Sequence, residues 1–319
     1  LWGTYIQGRP FEKSPTLCPN AVVPRKTTPG EEPQMESRNT HLTPEQIEQF
    51  HRDGYLILPA LFDAAEVAKM QQEADKLLEL LINSSLALGR NSVRLDALKG
   101  KNGLPFIRKI QPINDLSEYL AEISHDARLL DPMRDLMQDE PILLEEKLNG
   151  KEPLTQPLPG FQLSDRVSDA FPVHNDYAYF KHNNYPTDVI SSAISIDECT
   201  AENGPLHVWP GSHKEHLEHE AIPNVGLQVL PGLIDFDGGV DILAPAGSVM
   251  FFHSVLVHNS RANTTDQPRR IMIYSHYPKR FDMGDDIRNG PTRRQEKVFE
   301  DKYREMVGSG EFVDLFMAR

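Results

Sequence analysis

The run PVHNDYAY, residues 172–179, sets a histidine and a carboxylate two positions apart, His174 and Asp176. In a strand, residues i and i+2 leave from the same face, so an imidazole nitrogen and a carboxylate oxygen would enter one side of a sheet together. That donor pair suits a borderline divalent metal. With one further histidine it becomes the two-histidine, one-carboxylate facial triad, which leaves three positions on a non-heme Fe(II) for a chelating cosubstrate and dioxygen. Standing alone, such a pair is more often a hydrogen-bonded structural contact, so the third ligand matters.

Twelve histidines compete for that role. His258 closes the apolar run SVMFFHSVLVH, and His253 in the same run is its rival; five residues earlier, His253 would point to the opposite face of a regular strand. His213, His216 and His219 are interspersed with Lys214, Glu215, Glu218 and Glu220 and read as a solvated face. His207, beside Trp209, can line a pocket without ligating. His258 is preferred because Ser260 and Arg269 follow it. A turn through residues 259–268 would bring the strand RIMIYSHY back antiparallel to SVMFFHSVLVH, with Arg269 near the metal end. A guanidinium offers a planar fork that grips a carboxylate bidentately, and Ser260 can donate to the same group. One of the pair Arg269-Arg270 would then be a surface charge.

The elements that must position these residues are legible in part. Thr43-Pro44-Glu45-Gln46 and Asp63-Ala64-Ala65-Glu66 are capping boxes, with Leu42/Ile47 and Phe62/Val67 as hydrophobic staples, and they open two helices, the second running to about residue 83. YLILP lies between them as a short strand, and a further helical zone covers 116–138. From residue 141 come ILLEEKLN, FPVHNDYAYF, VISSAISID, PLHVWP, SVMFFHSVLVH and RIMIYSHY, separated by turn chemistry such as Asn203-Gly204 and Pro210-Gly211. Strands without helices between them point to an antiparallel sandwich or barrel, an α+β domain with its helices first. A charged helix over 292–307 follows. The proline-punctuated residues 1–40 read as an extended arm, and 41–319 as a single domain.

Composition narrows the function. A formal charge of −14 disfavours nucleic acid and anionic membranes as partners. No apolar run reaches the roughly 18 residues of a membrane span. Two distant cysteines, Cys18 and Cys199, make neither a disulfide framework nor a cysteine zinc site, which points to a reducing, cytoplasmic setting. The chain opens on Leu1, so it need not begin at the native N-terminus. Oligomeric state is not legible.

Taken in order and spacing, His174-x-Asp176, NGPLHVWPGSHK at 203–214, and His258-x-Ser260 followed by Arg269 resemble the phytanoyl-CoA dioxygenase family. This is a branch of the Fe(II)/2-oxoglutarate-dependent oxygenases that includes ectoine hydroxylase and natural-product tailoring enzymes. The resemblance covers about residues 43–280. It implies a double-stranded β-helix core, a jelly roll of cupin-like form, carrying the N-terminal helices. It implies iron held by His174, Asp176 and His258, and the distal carboxylate of 2-oxoglutarate held by Arg269 and Ser260. Lys147, Asn149 and Lys151 alternate along EKLNGK, residues 146–151, which resembles a pocket-lining strand of the family. Lys147, Asn149 and Phe171 are expected near the cosubstrate. Lys151, Tyr177, Tyr179, His207 and Trp209 are expected near a small, partly apolar substrate, and inward lysines would favour one bearing carboxylates. Where many relatives carry a tryptophan six residues after the first ligand, this chain has Phe180. Related halogenases lack the carboxylate ligand, and Asp176 argues against that chemistry.

The implied activity is O2-dependent oxidation of an unactivated C–H bond of a small molecule, with 2-oxoglutarate decarboxylated to succinate and CO2. Hydroxylation is the commonest outcome, and cyclisation, desaturation or epimerisation share its first step. Two rivals remain at this level: a cupin-type metalloenzyme that uses no 2-oxoglutarate, and a non-catalytic β-barrel that binds small molecules.

Overall fold

A computed structural model describes residues 40–100, 103–166, 168–284 and 286–318. The arm expected over 1–40 therefore lies outside the described residues, except for Thr40. From Thr40 onward the chain forms one compact unit.

Helix α1 (Pro44–Asp53) and helix α2 (Ala64–Leu88) both start on reciprocal capping boxes, at Thr43/Gln46 and Asp63/Glu66. Each box satisfies backbone donors that the first helical turn leaves unpaired. Between the helices runs strand β1 (Tyr55–Leu58). The hairpin β2 (Leu95–Lys99) and β3 (Pro105–Ile110) was not anticipated by the sequence reading. The expected zone 116–138 forms two helices, α3 (Glu118–Ile123) and α4 (Ala127–Met137), capped by Ser117 and Asp126. Strand β4 (Pro141–Pro153) precedes β5 (Phe171–His174) and the single-turn helix α5 (Tyr177–Phe180). Then come β6 (Ile190–Ser195), β7 (Leu206–Val208), β8 (His219–Ile222), β9 (Gly226–Val229) and β10 (Val240–Asp241). Strands β11 (Val249–His253), β12 (His258–Ser260) and β13 (Ile271–Pro278) lead to helix α6 (Gly290–Ser309).

Two antiparallel sheets carry the fold. The larger has strand order β1-β11-β6-β13-β4-β3-β2 and the smaller β10-β7-β12-β5, while β8 and β9 form a separate hairpin. Alternation assigns the two faces of the larger sheet. Ile271 and Ile273 of β13, with Met250 and Phe252 of β11, join Val208, Ile242 and Leu256 in an inner core. Their neighbours Met272, Tyr274, Val249 and Phe251 turn the other way and pack with Leu77, Leu81 and Met133 of the helices. Tyr274, fully buried there, satisfies its hydroxyl by donating to the Leu120 carbonyl at 2.6 Å. This is the sandwiched, cupin-like α+β architecture that the resemblance implied. No described helix is long and apolar enough to cross a membrane.

The run SVMFFHSVLVH is not one strand. It pairs in the larger sheet as β11, turns through residues 254–257, and continues in the smaller sheet as β12. Strand β13 therefore does not return alongside it: β6 separates β13 from β11, and β13 also pairs with β4. Residues 261–270 carry the chain back across the sandwich, and Arg269 is fixed by reciprocal backbone hydrogen bonds with Lys151 at 2.9 and 3.2 Å.

Candidate active site

Strands β5 and β12 are neighbours, in a register that sets His174 opposite His258. Their imidazoles face each other with ring centroids 4.4 Å apart. The nitrogen Nδ1 of His174 lies 2.7 Å from the Pro172 carbonyl, and that of His258 lies 3.0 Å from the Leu256 carbonyl. A carbonyl only accepts, so each ring carries its proton on Nδ1 and presents the lone pair of Nε2. These Nε2 atoms lie 3.7 and 3.8 Å from Oδ1 of Asp176. Ligand atoms from the three buried residues all fall within 4.8 Å of one another. Burial, and then the neighbouring His258, push the His174 imidazole down to about 3, so it stays neutral and available to a metal.

Asp176 reaches this point from outside the strand. The chain leaves β5 after His174, and Asn175 Oδ1 accepts from the Ala178 amide at 3.1 Å, which starts the turn of α5. The carboxylate therefore comes from the head of a helical turn, which corrects the expectation that it shares a strand face with His174. The Tyr177 amide donates to the Ser254 carbonyl at 2.9 Å, tying this turn to the crossing between β11 and β12. Asn175 is itself held by two of the histidines expected on a solvated face. Its amide donates to Nε2 of His219 at 3.1 Å, and Nδ1 of His216 lies 3.2 Å from its Oδ1. Charged neighbours in sequence concealed this, because the hairpin β8–β9 folds back over the ligand loop. His253 sits in β11 with its ring against His213.

A cavity of about 190 Å³ opens onto the three ligand residues. Among those lining it are Arg269, Ser260, Lys147, Asn149, Phe171, Tyr179 and Phe180. Arg269 is 1 % exposed, forms no ion pair among the described residues, and its Nε has no hydrogen-bond partner. Asn149 Oδ1 is likewise buried and unpartnered. A buried guanidinium without a counter-charge is costly, and a bound carboxylate is what would relieve it. Arg270 is not the surface charge that was the alternative for this pair: it is 3 % exposed and ion-paired to Asp197 and Asp75. Lys147 donates to Glu145 at 2.6 Å; burial opposes its charge, but the Glu145 and Asp176 carboxylates outweigh that and raise it.

Four residues expected at the pocket lie outside its lining. Lys151 is fully buried against the Asp169 carbonyl and carboxylate at 2.7 and 3.3 Å, where it pins the loop 154–170 to β4. The helical turn rotates Tyr177 away to pack with Leu144, Phe180 and Tyr185. His207 is spent on Asp241 at 2.6 Å and the Gly238 carbonyl at 2.7 Å. Trp209 donates to the Asp235 carbonyl at 2.7 Å within a separate cluster.

In their place the cavity takes residues that the sequence did not single out: Arg108 and Lys109 from the unpredicted hairpin, Gln111 just after it, Arg166, and Arg288. A charged pair inside the apolar run PFIRKI was the available signal. Arg166 and Arg288 carried none.

Residues 50–271 match the family model of phytanoyl-CoA dioxygenase. The chain is 29% identical over 256 residues to an ectoine dioxygenase of Sphingopyxis alaskensis, spanning 74% of this chain and 77% of that one. It is 23% identical over 249 residues to an L-proline trans-4-hydroxylase of Streptomyces griseoviridis, spanning 72% and 84%. The crystal structure of EctD from S. alaskensis with 2-oxoglutarate and 5-hydroxyectoine superposes with a TM-score of 0.56 at 26% identity, covering 77% of this chain and 79% of the other. The 2-oxoglutarate-dependent epimerase SnoN of nogalamycin biosynthesis shares the fold at a TM-score of 0.51 and 20% identity, covering 73% and 81%. With a family match across most of its length, and a triad of two histidines on adjacent strands and Asp176 from the turn that follows, beside an unpaired buried arginine, the chain belongs to the phytanoyl-CoA dioxygenase family.

Proposed function

We propose that this protein, an Fe(II)- and 2-oxoglutarate-dependent oxygenase, holds its iron on His174, Asp176 and His258 and seats the distal carboxylate of 2-oxoglutarate on Arg269 and Ser260. The unpaired, buried Arg269 guanidinium carries this reading. It serves no fold-internal ion pair among the described residues, and a metalloenzyme without a dicarboxylate cosubstrate would have no use for it. The donor set also fits: two imidazole nitrogens and one carboxylate are what Fe(II) takes in this class. Residues 41–319 act in this proposal as one catalytic domain, in a cytoplasmic setting that rests on cysteine usage alone.

When bound, iron with 2-oxoglutarate and O2 supplies oxidation of an unactivated C–H bond, with release of succinate and CO2. The chain supplies the rest. The Pro172 and Leu256 carbonyls fix the tautomer and tilt of both imidazoles. Arg269 orients the cosubstrate, and Asn149 and Lys147 offer polar atoms beside it. Phe171, Tyr179, Phe180 and Phe252 wall the cavity with low-polarity surface that limits water. The substrate is a small molecule, and hydroxylation is the proposed outcome.

Anaerobic addition of Fe(II) and 2-oxoglutarate tests this directly. A weak visible charge-transfer band is expected. Its absence with iron bound would return the choice to a metalloenzyme without 2-oxoglutarate.

A further inference from the structure

Part of the cavity lining holds more positive charge than its ion pairs neutralise. Arg108, Lys109 and Arg166 all line it. Among the described residues, the carboxylate ion-paired to the two arginines is Asp96, 3.0 Å from Arg108 and 3.2 Å from Arg166. Lys109 makes only a side-chain hydrogen bond to Gln111 at 3.1 Å. Burial, and then the nearby Lys147, push its ammonium down to about 8. Arg108 is 4 % exposed, its guanidinium lies over the Phe171 ring at 3.7 Å, and its Nε has no partner. Nearer the ligand residues, Lys147 and Arg288 share the fully buried Glu145.

Local backbone geometry put these cations here. Adjacent strand residues normally face opposite sides of a sheet. Between the pairs Ala97–Ile107 and Asp96–Lys109 the register of β2 and β3 shifts, which leaves Arg108 as an extra residue. A bulge of this kind re-aims a side chain, so Arg108 and Lys109 both line the cavity. Arg166 comes from the loop 154–170 and donates to the Val225 carbonyl at 2.7 Å, closing that loop against the β8–β9 hairpin. Gly226 makes the closure possible: at φ +135° it lets the hairpin approach the Tyr179 hydroxyl, where a Cβ would lie 2.9 Å away.

We propose that Arg108, Lys109 and Arg166 form a carboxylate subsite for the substrate, which is therefore a small carboxylic acid held by its ionised group rather than a neutral molecule. The proposal rests on the oxygenase reading above and adds the substrate class. Arg108 supplies the desolvated fork, Arg166 the second guanidinium, and Lys109 a third donor; Asp96 keeps the two arginines apart and oriented.

The test is calorimetric titration of the anaerobic Fe(II)- and 2-oxoglutarate-loaded protein with adipate, pimelate and suberate, each beside its neutral diamide. At least one diacid is expected to bind and its diamide not. Arg108→Gln is expected to weaken that binding by roughly 30-fold, and Arg166→Gln by less because it is partly exposed, with the charge-transfer band retained in both. The subsite is overturned if no diacid binds, if diamides bind equally, if both variants bind as the wild type does, or if either variant loses the band, since the wall would then serve the cosubstrate. Should Arg108→Gln fail to fold, Arg166→Gln decides. A wild-type protein without the band refutes the oxygenase reading itself, a different result from any of these.

Discussion

His174 and His258 stand in mirrored positions across the β5–β12 pair: each donates its Nδ1 proton to the carbonyl two residues before it, Pro172 or Leu256, and turns Nε2 toward Asp176. Neither ring can flip without losing that hydrogen bond. The iron site is thus preorganised by backbone, not by side-chain partners.

Removing one of these rings should remove the metal. His258→Ala is expected to abolish stoichiometric Fe(II) binding and the charge-transfer band. His253→Ala should leave both intact, since His253 lies in β11 of the larger sheet with its ring against His213. Metal analysis after desalting separates the two outcomes, and iron retained by His258→Ala would refute the ligand assignment.

Asp176→Gly separates chemistry from cosubstrate binding. Turnover should collapse, because the only carboxylate of the triad is gone. Some 2-oxoglutarate affinity should persist through Arg269, which the substitution does not touch. Succinate release together with direct 2-oxoglutarate binding reports both quantities, and full turnover would sink the assignment.

Arg269→Ala should weaken 2-oxoglutarate binding by about 2–5 kcal/mol, the usual cost of leaving a desolvated carboxylate unpaired. Arg269→Lys should recover only part of it, since an ammonium cannot reproduce the bidentate fork. Anaerobic titration of the band measures both; equal affinity in wild type and Arg269→Ala would refute the role.

The C-terminal helix offers a stability test away from the site. Arg94, fully buried, pairs with Glu300 at 2.7 Å and with Asp115 at 2.7 Å, joining α6 to the start of β2. Arg94→Ala leaves Glu300, 2 % exposed, without its main counter-charge. A loss of about 3–5 kcal/mol is expected from the urea unfolding midpoint. A loss below about 1 kcal/mol would mean that water replaces the pair.

Acid should destabilise the fold through buried neutral histidines. Burial lowers His276 to about 3 and His253 to about 4, both below the ordinary 6.5. The unfolded chain therefore binds more protons, and stability falls as pH drops below about 6.5, until the folded values are reached. In His276→Gln this acid limb should be shallower between about pH 6 and 4 in unfolding measurements of the metal-free protein. An unchanged slope would exclude His276 as a contributor.

The residues that carry the chemistry, and the local signals, were written in the chain order. Capping boxes at Thr43 and Asp63 act within one helical turn, so sequence alone predicts them and the structure agrees. His174, Asp176, His258 and Arg269 were selected by residue type and spacing, since few side chains can ligate iron or fork onto a carboxylate. Tertiary structure decided what depends on partners far away in the chain. It broke SVMFFHSVLVH between two sheets, so that His258 faces His174 while His253 does not. It moved Asp176 from a strand onto a turn, paired Arg270 while leaving Arg269 bare, and used a register shift against β2 to bring Arg108 and Lys109 into the cavity. Strand pairing and the burial of charge are long-range: the free energy of each choice resides in contacts between segments tens to hundreds of residues apart, and no local pattern encodes them.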